Sequence, residues 1–304
     1  MGKLPIMLLL ATALSACSVK QAAVDIVGNA IAGDGSAYAS DDDPELIREA
    51  MPFGLKTFES LLEVSPEHKA LLLSAARGYT AYAFLLQGEA DRLDADDILR
   101  ARGHRARARK HYLRGRDFAL RGLAVAHPGF AAALRQDSAT ALTATDEIDV
   151  SFLYWGGAAW AGALSAAKDD LDLLAELPLA AAMVGQVIEL DAAYEGGAAH
   201  EFFIAYEGGR PGGNADSARA HYARALALSG GARASVHLAL AEAVAIKQQN
   251  LREFRGLIGA ALAIDPDLRP ELRLVNTMAQ QRARWLESRI PDLFLEASDK
   301  EGAI

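Results

Sequence analysis

From Asp43 onward, apolar residues recur at intervals of three and four, and the alternating pattern of half-buried strands is almost absent. The periodicity predicts helices over 44–64, 66–90, 95–126, 129–143, 149–168, 178–191, 196–206, 214–229, 232–249, 251–264 and 268–289. Asp43-Pro44-Glu45 opens the first of these with a capping acid, a proline at the first helical position and an acid in the first turn. Pro52 predicts a bend or a break within it. The links are short and built from Pro, Gly, Asp and Asn, which favours antiparallel neighbours. The expected fold class is all-α, with stacked antiparallel helix pairs.

Several helices share an ending. "LALAEAVAIKQQNLREFRGLIGAALAIDP" closes like a tetratricopeptide repeat, with Phe254, Ile258 and Ala261 at repeat positions 20, 24 and 27. Gly54, Phe58 and Leu61 take the same places, as do Ala218, Tyr222 and Ala225, and Ala180, Val184 and Val187. A fifth ending supplies Leu120 and Leu123 but has Arg116 at position 20. Positions spaced i, i+4, i+7 lie on one helix face, and a small residue at the first lets two helices approach closely. The spacing between endings is irregular, so any repeats are degenerate. Stacked pairs of this kind form a compact superhelix with a concave binding face.

One stretch departs from the amphipathic pattern. "VSFLYWGGAAWAGALSAA", Val150 to Ala167, is eighteen residues without a charge, and eleven of them are Gly, Ala or Ser. Its length reaches the threshold for a membrane span, but Gly, Ala and Ser insert weakly. A span here would also put two halves of one helical array on opposite sides of a bilayer. The remaining readings are a core helix and a cavity wall.

Composition narrows the class. The chain is 51% apolar and 23% charged, a globular balance, and its net charge of −9 argues against nucleic-acid binding. The one cysteine, Cys17, excludes an intrachain disulfide and a cysteine-rich metal site. Its position is informative. Lys3 is followed by an apolar run from Leu4 to Leu14, too short for a mature span, and then by Leu14-Ser15-Ala16-Cys17. That tetrad resembles a bacterial lipobox, which implies cleavage before Cys17 and acylation of it. Ser18 in place of Asp implies the outer membrane rather than the inner, with the protein facing the periplasm. The expected organisation is a signal peptide at 1–16, a lipidated N-terminus and tether at 17–43, a helical domain at 44–292 and a tail at 293–304. Val24, Ile26, Val27 and Ile31 suit a short helix within the tether.

Catalytic patterns are missing at the residue level. "HEFFI" begins like a zinc-protease motif, but the second histidine is replaced by Ile204. His200 therefore reads as a helix-start residue or a polar group facing a cavity. The glycines of "YEGGAAH" and "EGGRPGG" lack the Lys-Ser/Thr of a phosphate loop and read as turns with positive φ. No Gly-x-Ser-x-Gly is present, so no enzyme, metal or cofactor is expected. "RARGHRARARKHYLRGR", residues 100–116, carries eight Lys/Arg and no acid. Arg102, Arg109 and Arg116 share a helix face there. They form either a solvated face or a docking stripe for an acidic partner or an anionic membrane.

"ASDDDPELIREAMPFGLKTFESLLEVSPEHKALLLSAARGYTAYAFLL", "LYWGGAAWAGALS", "LPLAAAMVGQVIELD", "YEGGAAHEFFIAY" and "NTMAQQRARWLESRIPDLF" together resemble the TatT family, the tetratricopeptide-repeat component of some TRAP transporters. The resemblance covers about residues 38 to 294. It implies degenerate tetratricopeptide-like helices, a lipidated N-terminus and partnership with a periplasmic solute-binding protein. It also implies a homotrimer with a channel through each subunit, and a small hydrophobic or carboxylated ligand. Tyr154, Trp155, Trp160, Tyr194 and His200 are the candidate pocket residues, and Arg102, Arg109 and Arg116 the candidate docking residues. The alternative is an outer-membrane scaffold that binds envelope proteins and carries no ligand.

Overall fold

The computed structural model describes residues 24–31, 33, 36–93 and 97–295. The signal peptide, Cys17 and the last nine residues lie outside them. The described chain is all-α, with no strand among its residues. Helix α1 covers 24–31 and α2 Ser36–Ala39. Then come α3 Pro44–Val64, α4 Lys69–Leu93, α5 Ile98–Ala126, α6 Phe130–Gln136, α7 Ser138–Leu142 and α8 Val150–Ala166. The second half holds α9 Leu171–Ala175, α10 Leu177–Asp191, α11 Ala198–Gly209, α12 Ala215–Leu228, α13 Ala234–Leu240, α14 Leu251–Leu262, α15 Arg273–Ser288 and α16 Ile290–Leu293.

Local signals explain most boundaries. Asp43 caps α3 by accepting from the backbone N–H groups of Glu45 and Leu46, and the helix runs without a break through Pro52. The single helix expected over 129–143 is two. Asp137 leaves the helix with φ −152° and accepts from the Thr140 N–H, so its carboxylate starts α7 and ends α6. The helix expected from 268 begins at Arg273. Prolines 266 and 270 lack amide hydrogens and hold two 3₁₀ turns instead. The tether contains the short helix α1, and it is docked: Ser65 donates to the Asp25 carboxylate at 2.7 Å.

Consecutive helices pack side by side. Helix α4 lies against α3, α5 and α8, while α8 lies between α5 and α10; in the second half, α11 meets α12 and α13, and α13 meets α14 and α15. Most residues at the recurrent endings are buried, while Gly54, Phe58, Leu61, Tyr222 and Arg116 are half-buried. Ala180, Val184, Val187, Ala218, Ala225, Phe254, Ile258, Ala261, Leu120 and Leu123 are all buried. Apolar packing forms two clusters, one from Ile47 to Ala199 and one from Ile204 to Phe294. Helix α11 carries the last buried residue of the first and the first of the second. The C-terminal helix α15 returns to the N-terminal half: Arg273 donates to the Ser40 carbonyl, and Arg282 pairs with both Glu242 and Asp91.

The uncharged stretch is α8, a core helix with nine buried residues. Its glycines make room for large neighbours. A Cβ at 162 would stand 2.5 Å from the Tyr112 ring, and one at 157 would stand 2.6 Å from Val184 and 2.8 Å from the Ala180 carbonyl. Gly122 on α5 does the same for Phe152, whose ring would lie 2.1 Å from a Cβ. The adjoining stretch Leu171–Asp191 is long and apolar enough to cross a membrane, with mean hydropathy 1.6. Its Ala180, Met183, Val184 and Val187 are buried in the first cluster against α8.

Two glycine substitutions separate this packing from helix propensity. Gly157→Val should destabilise the protein by about 1–3 kcal/mol, because the α8–α10 gap cannot open without cost. Gly256→Ala, at an exposed site on α14 where a Cβ meets nothing within 4 Å, should stabilise it by about 0.5–1 kcal/mol. Denaturant melts of both variants check the pair.

Candidate functional site

Three of the five candidate pocket residues meet on the first cluster, at the seam where Glu201 of α11 and Arg233 from just before α13 approach it. Tyr154 and Trp155 project from α8, with ring centroids 5.3 Å apart and near-perpendicular planes. Tyr194 lies 5.4 Å from Tyr154. It is delivered by the turn after α10, in which Glu195, Gly196 and Gly197 have φ of 45°, 67° and 86°. The glycines take this region freely, as their turn-like context predicted. Glu195 does not, and costs on the order of 1 kcal/mol there. In return its two ends face two arginines. Its carboxylate pairs with Arg77 of α4 at 3.3 Å, and its carbonyl accepts from Arg233 at 2.8 Å.

The charges alternate around the rings. Arg77 donates to the Tyr194 hydroxyl at 3.2 Å and holds its guanidinium carbon 5.8 Å from the centre of the Trp155 ring. Arg233 pairs with Glu201 of α11 at 3.2 Å, and both side chains are largely buried. Burial works against the Arg233 charge, but Glu201, Tyr154 and Glu195 more than restore it. Burial also pushes the Tyr154 hydroxyl far above its ordinary range, with Glu201 adding to the effect, so the phenol stays protonated. The Trp155 indole N–H and the Arg77 Nε–H are buried with no acceptor, and Arg233 Nε and Glu201 Oε2 meet only as an ion pair, without an aligned hydrogen bond. A buried unpaired donor costs about 1–3 kcal/mol.

The other candidates stand apart. Trp160, five residues and about 140° around α8 from Trp155, is fully buried. Its N–H donates to Glu176 at 2.9 Å, with Arg116 and Arg135 stacked over the ring at 5.0 and 5.4 Å. His200 is buried on α11, and its Nδ1 lies 2.9 Å from Nδ1 of His221. One imidazole must donate and the other accept, so the two hold opposite tautomers. Burial first, then mutual repulsion, lowers the His200 pKa. Ile204, at the place a second zinc ligand would need, is in the core.

The three docking arginines diverge. An α-helix drifts about 20° per heptad, so residues seven apart rotate steadily towards one side. On α5 that side is the core. Arg102 is exposed; Arg109 reaches Asp170; Arg116, with a side chain only 14% exposed, is packed over Trp160 and Glu176. His111 on the same helix stacks on Tyr79 at 5.6 Å. Burial, reinforced by Arg114, Arg107 and Lys110, pushes it down to about 4.

The described residues form a helical core in which stacked helices present a polar and aromatic cluster. Residues 40–294 match the sequence family described as the TRAP transporter T-component, and the chain belongs to that family. It is also 29% identical over 302 residues to a protein of Treponema pallidum (strain Nichols) described as uncharacterized, covering 92% of this chain and 94% of that one. Membership makes the protein a transport-associated component of the cell envelope.

Trp160→Phe should cost about 1–3 kcal/mol through its lost bond to a carboxylate, whereas Trp155→Phe, which removes an unpaired donor, should stay within about 1 kcal/mol of the parent. Chemical denaturation distinguishes them. His111 predicts an acid-labile fold. The unfolded chain takes up its proton near pH 6.5 and the folded chain only near 4, so stability is full above that window and falls as pH drops through it. His111→Phe should flatten the fall in melting temperature between pH 6.5 and 4.

Proposed function

We propose that this T-component works with the periplasmic solute-binding protein of a TRAP transporter and holds a small carboxylated, largely apolar ligand at the Trp155–Arg77–Tyr194 cluster. The observation that carries the ligand reading is the pair of buried donors with no acceptor beside three aromatic rings. A carboxylate would accept from both, and the rings would cover an apolar body. The cluster is closed by Arg77–Glu195 and Arg233–Glu195, so a ligand enters by parting those contacts. In this reading the helices form a degenerate tetratricopeptide-like superhelix, the chain is held by acylated Cys17 on the periplasmic side of the outer membrane, and it assembles as a homotrimer.

The scaffold reading has one observation of its own. Depressions on the described surface include one of about 350 Å³ on α5 and one of about 560 Å³ beside α1 and the start of α4, and the aromatic cluster lines neither of these. A scaffold would use its outer faces and leave the seam shut.

Titration with short aliphatic and aromatic carboxylates, followed by tryptophan fluorescence, tests the choice. Saturable quenching is expected, lost in Trp155→Phe and weakened at least tenfold in Arg77→Met, since a charge-assisted bond is worth about 1.5–3 kcal/mol. No response to any carboxylate, with a solute-binding protein still recovered from native membranes, would leave the scaffold.

A further inference from the structure

We infer that the solvent face of α5 is a docking surface for anionic phospholipid. Residues 98–116 contain no acid and eight basic residues, in a chain whose net charge is −9. The fold uses four of these internally: Arg105 pairs with Asp91, Arg109 with Asp170, Arg114 with Glu59 and Arg116 with Asp117 and Glu176. Arg107 donates to the Tyr82 hydroxyl and has no carboxylate partner among the described residues. Arg100, Arg102 and Lys110 are exposed and have no carboxylate partner among the described residues. Helical geometry places Lys110 opposite buried Ala101, Ala108 and Tyr112, with Arg107 and Arg100 on one flank of the solvent face and Arg102 on the other. The field they create reaches their neighbours: Arg107 and Arg100 both help to hold His104 below its ordinary pKa, behind the larger effect of burial.

Two further features point to a lipid surface rather than a protein. Ile98 and Leu99, at the head of the same helix, are 52% and 76% exposed. These two side chains can enter the headgroup–acyl boundary while the neighbouring cations stay at the headgroups. The 350 Å³ depression lies on the same helix. It is lined by Ala106, Arg109, Lys110, Leu113, Arg114 and Asp117. Arg109 and Arg114 already face Asp170 and Glu59, so Lys110 is the cation there left for a phosphodiester headgroup. The exposed cations from Arg100 to Lys110 extend about 15 Å along the helix. The family's place at the cell envelope puts a bilayer within reach.

A reporter on the face tests this in the full-length chain. Ala106→Cys in a Cys17→Ser background carries an environment-sensitive fluorophore, and the protein is mixed with phosphatidylcholine vesicles with or without phosphatidylglycerol. A blue shift is expected with the anionic vesicles alone. It should disappear when salt shortens the Debye length to about 3 Å. Replacing Arg100, Arg102 and Lys110 by Gln should weaken the response roughly 100-fold at about tenfold or less per charge, with an unchanged melting temperature. Arg100→Lys with Arg102→Lys should keep it. No shift, an equal shift on neutral vesicles, or an undiminished shift in the triple variant overturns the proposal. A shift with polyglutamate but not with vesicles overturns it in favour of an acidic protein partner.

Discussion

The ring of Tyr112 occupies the space where residue 162 would carry a side chain, and Val184 presses on residue 157 in the same way. Helix α8 is thin because it must fit between α5 and α10 while touching α4 as well. Dispersion forces decay steeply with distance, so a helix held this closely is packed mainly by its neighbours' large side chains. Its own two tryptophans follow from that placement. The 140° between them sends Trp160 into the packed side, where Glu176 and two arginines receive it, and leaves Trp155 at the seam. The membrane-like composition of this stretch therefore reflects steric fit.

Much of the fold was legible because its helices are long and their apolar periodicity is strong. Asp43-Pro44-Glu45 set the start of α3 correctly, and the inward-facing triplets such as Ala180, Val184 and Val187 could be read from spacing. The boundaries that went astray are those where a side chain or a proline outweighs periodicity. Asp137 sits within an apolar pattern that continues past it, yet its carboxylate captures an amide and divides the helix. Prolines 266 and 270 delay α15 although the pattern before Arg273 is already helical. At the site, Tyr154, Trp155 and Tyr194 were visible as uncommon aromatics beside small residues. Arg77, Glu195, Glu201 and Arg233 were not, because their partnership spans more than a hundred residues and leaves no local trace. The one available hint was the Tyr-Glu-Gly-Gly turn, whose glycines signalled positive φ but gave no reason to suspect the glutamate before them.

Arginine is used in three distinct ways. At Trp160 it stacks and supports a filled core. At the seam it alternates with glutamate around tyrosines kept neutral by burial, so the cluster is close to balanced in charge while retaining two unused donors. Along α5 the drift of heptad-spaced residues takes Arg116 inward and leaves Arg102 outside. The same residue type, at regular spacing on one helix, thus passes from structural to exposed within four turns.

The return of α15 to the N-terminal half changes the mechanics of the whole chain. A linear stack joined only through α11 would twist about that one element. Arg273 at Ser40 and Arg282 between Glu242 and Asp91 provide a second attachment. A body fastened at two separated points resists torsion and retains mainly a breathing mode about the line joining them. The two halves are thus tied at α15 as well as at α11 and the Glu195 turn.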